Sequence, residues 1–174
     1  HLDTQPTGGK YDGVFGVLAG LEIIETLNDF KIETQGPIEV VIWTNEEGAR
    51  FSPAMIGSGV FADVFELKEC LKISDKDGKS IGDELKRIGY NGSVPAKLKP
   101  IRAAFEAHIE QGPILEAKNK QIGVLTGVQG ISWYDVIIEG REDHAGPTPM
   151  GHRLDQFMAA LPIMQRCYAL VEGY

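Results

Sequence analysis

Cysteine is scarce in this 174-residue chain, which holds only Cys70 and Cys167. Two thiols without paired spacing give neither a disulfide framework nor a thiolate zinc site. Long apolar runs are also missing. No run approaches the roughly 20 residues that a membrane-spanning helix needs, and no secretory leader pattern is visible. Positive charge is in short supply, with 17 Lys and Arg against 25 Asp and Glu, a formal net charge of −8. No basic stripe is available to neutralise phosphates, which argues against nucleic acid as a partner. Internal repeats and low-complexity segments are lacking too. What remains has an ordinary globular composition, with 43% hydrophobic residues. The length suits one domain, or one domain and part of another. A cytoplasmic location is the expectation.

Along the chain, Val14, Val17, Leu18, Leu21 and Ile24 recur at helical spacing through Leu27, directly after a polar loop rich in Gly and Asp. Gly36-Pro37 is a break. The run Ile38–Thr44 is short, β-branched and almost continuously apolar, and it reads as a buried parallel strand. It ends in Asn45-Glu46-Glu47-Gly48. Strands alternating with helices, with polar loops at strand ends, describe an α/β fold of sandwich type, which places ligands beyond the strand ends. Residues 66–100 are more polar, with a turn at Asp75–Ser80 and a short helix marked by Ile81, Leu85 and Ile88. The segments "IGVLTGV" and "ISWYDVIIEG" read as two strands separated by Gln129-Gly130. Beyond them, Leu154, Phe157, Met158, Leu161, Met164, Tyr168 and Val171 share one helical face. Pro162 falls inside that helix, where a proline costs about 3 kcal/mol, so a kink is expected there.

Several motif matches fail on context. Gly78-Lys79-Ser80-Ile81-Gly82 fits the G-x-S-x-G pattern, but an Asp/Lys-rich turn precedes it instead of a strand. Gly57-Ser58-Gly59 reads as a turn rather than a dinucleotide fingerprint. Asp75 and Asp77 lack the remaining ligands of a calcium loop.

The stronger constellation is His1, Asp3, Asp12, Glu46, Glu47 and His108, each in or beside a polar loop that adjoins an apolar segment. Imidazole and carboxylate together suit Zn²⁺, and also Mn²⁺, Co²⁺ or Ni²⁺. In His1-x-Asp3 a carboxylate lies two residues from a candidate ligand, close enough to orient the imidazole. Asp12 has two oxygens and can bridge two metals. Adjacent Glu46 and Glu47 are expected to point apart, one toward metal and the other toward proton transfer. Taken one at a time these residues have plainer uses: Asp and Gly in loops make turns, paired Glu make a solvated surface, and a lone His is structural. From spacing and composition the result is an α/β domain with a candidate metal site.

Taken together, "HLDTQPTGGKYDGVFGVLAGLE", "IEVVIWTNEEGARFSPAMIGSGVF", "AHIEQGPILE", "IGVLTGVQGISW" and "DHAGPTPMGHRLD" resemble the hydantoinase/carbamoylase family of amidases, within the di-zinc aminoacylase and peptidase superfamily. They occur in the family's order and cover most of the chain outside residues 63–100. The "TQPTGGKYDG" loop is most similar to that of the β-ureidopropionase and N-carbamoyl-L-amino-acid hydrolase branch. The resemblance implies an α/β/α sandwich catalytic domain over residues 1–130, followed at 131–174 by the start of a smaller α+β lid or dimerisation domain. It implies two divalent metal ions, foremost Zn, with Mn, Co or Ni as alternatives. His1 and His108 would ligate one metal, Asp12 would bridge both, and Glu47 would ligate the second. Asp3 would sit behind His1, and Glu46 would be the general base. Gln111 would contact substrate. His144 would help polarise the scissile carbonyl, often across a homodimer.

Relatives extend beyond both ends of this chain, and those parts carry a further metal-ligating His and the Asn and Arg groups for the substrate carboxylate. His152 is no substitute for that ligand. The chain is therefore expected to be part of a longer protein and inactive alone. The implied reaction is hydrolysis of the carbamoyl C–N bond of N-carbamoyl amino acids to amino acid, ammonia and carbon dioxide. Alternatives are an allantoate amidohydrolase, an aminoacylase or a dipeptidase of the superfamily, or a non-catalytic metal-binding or dimerising module.

Overall fold

Helix α1 (Val14–Asp29) forms where the apolar spacing predicts it. Its first turn follows directly on Asp12, whose Oδ1 accepts the Gly13 N–H at 3.0 Å. The helix closes with Lys31 in the left-handed region at φ 54°. There the Ile32 N–H returns to the Leu27 carbonyl at 2.9 Å, satisfying one of the carbonyls left open at a helix end. In the computed structural model, residues 1–172 are described. They divide into two compact units, His1–Gly123 and Val124–Tyr174.

The first unit has its core around three short helices. Phe51, Ile56, Val60, Cys70 and Ile81 are buried together, with Phe65, Leu71, Ile73 and Leu85 packed against them. Apart from Phe51, which precedes them, these side chains come from α2 (Ile56–Phe61), α3 (Leu67–Cys70), α4 (Ile81–Arg87) and the segments between. The turn expected at Gly57-Ser58-Gly59 is instead the body of α2. Glycine is needed there for space, because a Cβ at Gly59 would overlap the Phe65 ring. Helix α4 begins at Ser80, whose hydroxyl accepts the Asp83 N–H at 3.1 Å, an ordinary side-chain cap. The turn before it is as expected: Asp75 Oδ1 accepts the N–H groups of Asp77 at 3.0 Å and Lys79 at 2.9 Å.

The expected strands do not form ladders among the described residues, where an isolated Ser74–Ser80 bridge is the β-type pairing recorded. Val40 nevertheless lies against α1, where the Cβ that Gly20 lacks would be 3.0 Å from Val40 Cγ1. Ile38, Val41 and Ile42 in the same run are about half exposed. A parallel strand is stabilised by neighbours on both edges and by layers on both faces; here those neighbours are not paired. The same holds for "IGVLTGV" and "ISWYDVIIEG", whose Val124, Leu125, Trp133 and Ile137 are exposed. A short helix α5 (Ile114–Ala117) lies between His108 and the first of these segments.

In the second unit, α6 (Gln156–Val171) is capped by Asp155, whose Oδ1 accepts the Met158 N–H at 3.1 Å. The helix continues through Pro162, which has no N–H to give the carbonyl four residues earlier. Cys70 is buried and Cys167 exposed, and both are free thiols. No helix among the described residues is long and apolar enough to cross a membrane.

Candidate metal centre

The opening loop and the two segments that approach α1 bring the candidate ligands of the first unit together. His1 and Asp12 are buried although polar. His1, Asp12 and His108 each present an atom within 4.8 Å of the other two, and so do His1, Glu46 and Glu47. The first group joins the residues expected around one metal. In the second, Glu46 and Glu47 both reach toward His1, whereas the sequence reading has them pointing apart. A tight turn explains the difference. Asn45 adopts φ 53° and Gly48 φ 69°, so the chain curls around the pair. Asn45 Nδ2 ties that turn to the Phe51 carbonyl at 2.9 Å.

Hydrogen bonding at the two imidazoles shows how they are oriented. His1 Nδ1 lies 2.9 Å from the Asp3 carbonyl, and His108 Nδ1 lies 2.8 Å from the Ile109 carbonyl. A carbonyl only accepts, so each Nδ1 carries a proton and each ring turns its Nε2 inward. His108 Nε2 is 3.1 Å from Asp12 Oδ1, and His1 Nε2 is 3.2 Å from Glu46 Oε2 and 4.0 Å from Asp12 Oδ1. Each inward Nε2 therefore faces a carboxylate oxygen, an arrangement that calls for a proton or a cation between them.

Asp3 lies beside His1, where its carbonyl makes the closer contact and its Oδ1 is 3.6 Å from Nδ1. Its Oδ2 accepts the Glu47 N–H at 3.0 Å, which docks the opening loop onto the Glu46–Glu47 turn. Asp3 Oδ1 and Glu47 Oε1 are buried without a hydrogen-bond partner. Burial pushes the Glu46 carboxyl above its usual range, and the negative charges of Glu47 and Asp3 push it the same way.

Gln111, expected at the substrate, donates Nε2 to Asp12 Oδ2 at 3.0 Å from a backbone in the left-handed region at φ 52°. Glu110 beside it is occupied elsewhere, accepting the N–H groups of Ile114 and Leu115 at the start of α5. His144 and His152 belong to the second unit. His152 lies in a short 3₁₀ turn, Met150–His152.

Two contributors are missing from the sequence reading. Gln5 donates Nε2 to Glu47 Oε2 at 3.0 Å; the available signal was its place two residues after Asp3 in the same loop. Gly13 is the other, since a Cβ there would overlap the His1 imidazole. Its position next to Asp12 at the start of α1 looks in sequence like any helix-leading glycine.

The chain belongs to peptidase family M20/M25/M40, whose model matches residues 1–166. Within that family it is 56% identical over 165 residues to an N-carbamoyl-L-amino-acid amidohydrolase of Rhizobium meliloti, covering 95% of this chain and 40% of the relative. It is 42% identical over 168 residues to an N-carbamoyl-L-amino acid amidohydrolase of Geobacillus stearothermophilus, covering 94% of this chain and 41% of the relative. Among solved structures it is similar to a hydantoinase/carbamoylase family amidase from Burkholderia ambifaria, with a TM-score of 0.83 and 49% identity over 99% of this chain and 42% of that one. The chain thus spans about two fifths of the length of these relatives.

Proposed function

We propose that His1, Asp12, Glu46, Glu47 and His108 form one side of the active centre of a metal-dependent amidohydrolase. It cleaves the carbamoyl C–N bond of N-carbamoyl amino acids and yields amino acid, ammonia and carbon dioxide. The observation that carries this reading is the convergence of His1 and His108 Nε2 on carboxylate oxygens in one cluster. The likeness to amidohydrolases acting on N-carbamoyl-L-amino acids supports the choice of substrate.

The donor set fits divalent cations. Two imidazole nitrogens and a carboxylate oxygen make a nitrogen- and oxygen-rich site for Zn²⁺, and equally for Mn²⁺, Co²⁺ or Ni²⁺. The buried Glu47 Oε1 has no other partner. His1, Asp12 and His108 would hold one ion, and Asp12 and Glu47 would contribute to a second. Such ions acidify a bound water and polarise a carbonyl.

The chain's own residues then divide the work. Glu46 takes a proton from the attacking water and passes it to the leaving nitrogen as the C–N bond breaks. Asp3 and Gln5 hold Glu47 by its N–H and its carboxylate. Gln111 steadies Asp12 and contacts the substrate. His144 donates a hydrogen bond to the oxygen that gains charge. Residues 1–130 serve as the catalytic part and 131–174 as the start of a lid that also makes a homodimer, in a cytoplasmic enzyme. The unpaired segments around residues 38–44, 122–128 and 131–140 pair as strands of α/β layers in the intact protein.

The test is turnover, by the protein that carries these residues, of N-carbamoyl-β-alanine, N-carbamoyl-L-amino acids, allantoate and dipeptides, before and after chelation. The expected result is hydrolysis of carbamoyl amino acids that chelation abolishes and added Zn²⁺ or Mn²⁺ restores. Activity that survives exhaustive chelation, or that is confined to dipeptides or allantoate, overturns the proposal.

A further inference from the structure

In the second unit, the loop from Asp143 to Arg153 is held by two guanidinium groups. Arg141 grips its ends, pairing with Asp143 through Nε at 3.0 Å and donating Nη2 to the His152 carbonyl at 2.6 Å. Arg153, half-buried, reaches into the loop itself. It donates Nε to the Thr148 carbonyl at 3.0 Å and Nη2 to the Ala145 carbonyl at 2.6 Å. Those two carbonyls bracket Gly146, whose N–H donates to His144 Nδ1 at 3.1 Å. A Cβ on Gly146 would lie 3.4 Å from His144 Cε1, so ring and loop backbone are closely packed. The turn is completed by the Thr148 N–H, which reaches the His144 carbonyl at 3.3 Å.

A ring nitrogen that accepts a hydrogen bond has no proton of its own, so a neutral His144 carries its proton on Nε2. We propose that Arg153 is the positioning residue for His144: by fixing the carbonyls on either side of Gly146, it holds the N–H that keeps the His144 proton on Nε2. The ring then offers a hydrogen-bond donor where the other tautomer would offer a base. A donor is what an oxygen gaining negative charge requires, so the inference deepens, and rests on, the role given to His144 above. The device needs a forked cation. A guanidinium donates to two carbonyls in a fixed plane, whereas an ammonium is a single point that cannot reproduce both bonds in that geometry.

The experiment is ¹⁵N NMR of the histidine rings in the intact protein, combined with kinetics. His144 is assigned by the resonance lost in His144→Ala. In the wild type the neutral ring is expected to be the Nε2–H tautomer. In Arg153→Met the signals move toward a mixture of tautomers, and kcat falls by about tenfold or more while KM changes less. Arg153→Lys recovers part of both. A wild-type ring protonated on Nδ1 overturns the proposal, and that measurement needs no variant to fold. An Arg153→Met ring identical to the wild type overturns it as well, whatever the activity. A shifted tautomer with unchanged turnover upholds the positioning by Arg153 and overturns instead the role of His144 in hydrolysis.

Discussion

His108 Nε2 lies 3.1 Å from Asp12 Oδ1, and the Ile109 carbonyl already holds a proton of that ring on its other nitrogen. A nitrogen and a carboxylate oxygen at this distance share a proton or a cation. Replacing His108 by Ala removes that nitrogen and with it a third of the His1, Asp12 and His108 group. Metal affinity is then expected to fall by more than the roughly 10–100-fold typical when a group one step behind a ligand is lost. Elemental analysis after dialysis against dilute metal measures this. Full occupancy in His108→Ala would remove His108 from the ligand set.

Glu46 is placed differently. Its carboxylate faces His1 at 3.2 Å, but it is raised toward the protonated form by burial and by Glu47 and Asp3. A group so poised suits proton transfer more than ligation. Glu46→Gln keeps the shape and removes the titratable oxygen. The variant is expected to keep its metal content and to lose about 10²–10⁴-fold in kcat. Near-normal turnover would exclude Glu46 as the base, while parallel loss of metal would make it a ligand.

Much of this centre is legible from the sequence because its parts lie in polar loops next to strongly periodic or continuous apolar runs. Helix α1 follows from the spacing of Val14 to Leu27, directly after the polar loop that carries Asp12. The core around Phe51, Val60 and Ile81 was hidden for the opposite reason. Helix α4 was marked by Ile81, Leu85 and Ile88, but α2 and α3 are six and four residues long, too short for a 3.6-residue period to show, and glycines inside α2 look like a turn. The inward turning of both Glu46 and Glu47 depends on left-handed backbone at Asn45, and no pattern of residue types announces that in advance. The apolar runs read as strands carry the right composition but no ladder, because pairing depends on partners that composition cannot name.

Gln5 provides a test of how Glu47 is aimed. With Asp3 on its N–H and Gln5 on Oε2, Glu47 is fixed at both ends and leaves Oε1 free. Gln5→Leu keeps the size and removes the donor. The expected outcome is about 10–100-fold weaker binding of one of the two metal ions, as for other groups that orient a ligand. The unfolding free energy of the metal-free protein should change by no more than about 0.5 kcal/mol, since the lost bond is exposed. Calorimetric titration of metal into both proteins separates the two effects, and equal isotherms would assign Gln5 no role.

Ile81 is only 4% exposed and packs with Phe51, Ile56, Val60 and Cys70, and the Ile56 N–H bonds the Asn45 carbonyl beside the Glu46–Glu47 turn. Ile81→Ala leaves a cavity among short helices that have little other support. A loss of about 2–5 kcal/mol is expected, read as a lower urea midpoint with an unchanged slope. A loss below 1 kcal/mol would mean that this cluster is not the core that supports the site.

The last prediction concerns acid. Arg50 joins the loop after Glu47 to α4, bonding Asp75 through Nε at 2.9 Å and Glu84 through Nη1 at 2.8 Å. Arg87 grips Glu84 from the other side with Nε and Nη2, both at 2.9 Å. The guanidinium groups of Arg87 and Arg50 hold the Glu84 carboxyl well below its ordinary value, down to about 2. The Lys79 N–H and Arg50 lower Asp75 in the same direction. A carboxyl depressed by folding binds its proton more readily once unfolded, so the unfolded state takes up protons first as the pH falls. The contribution of Glu84 is therefore complete above the usual glutamate value of 4.5 and disappears as the pH drops from there through about 2. Because these groups are near the surface, salt weakens the effect. Urea unfolding of metal-free wild type and Glu84→Gln, compared from pH 7 to pH 2, is expected to show the wild type more stable at neutral pH and the two converging in that acid window. A gap between them that stays constant with pH would show that the Arg50–Glu84–Arg87 cluster does not hold the loop through charge.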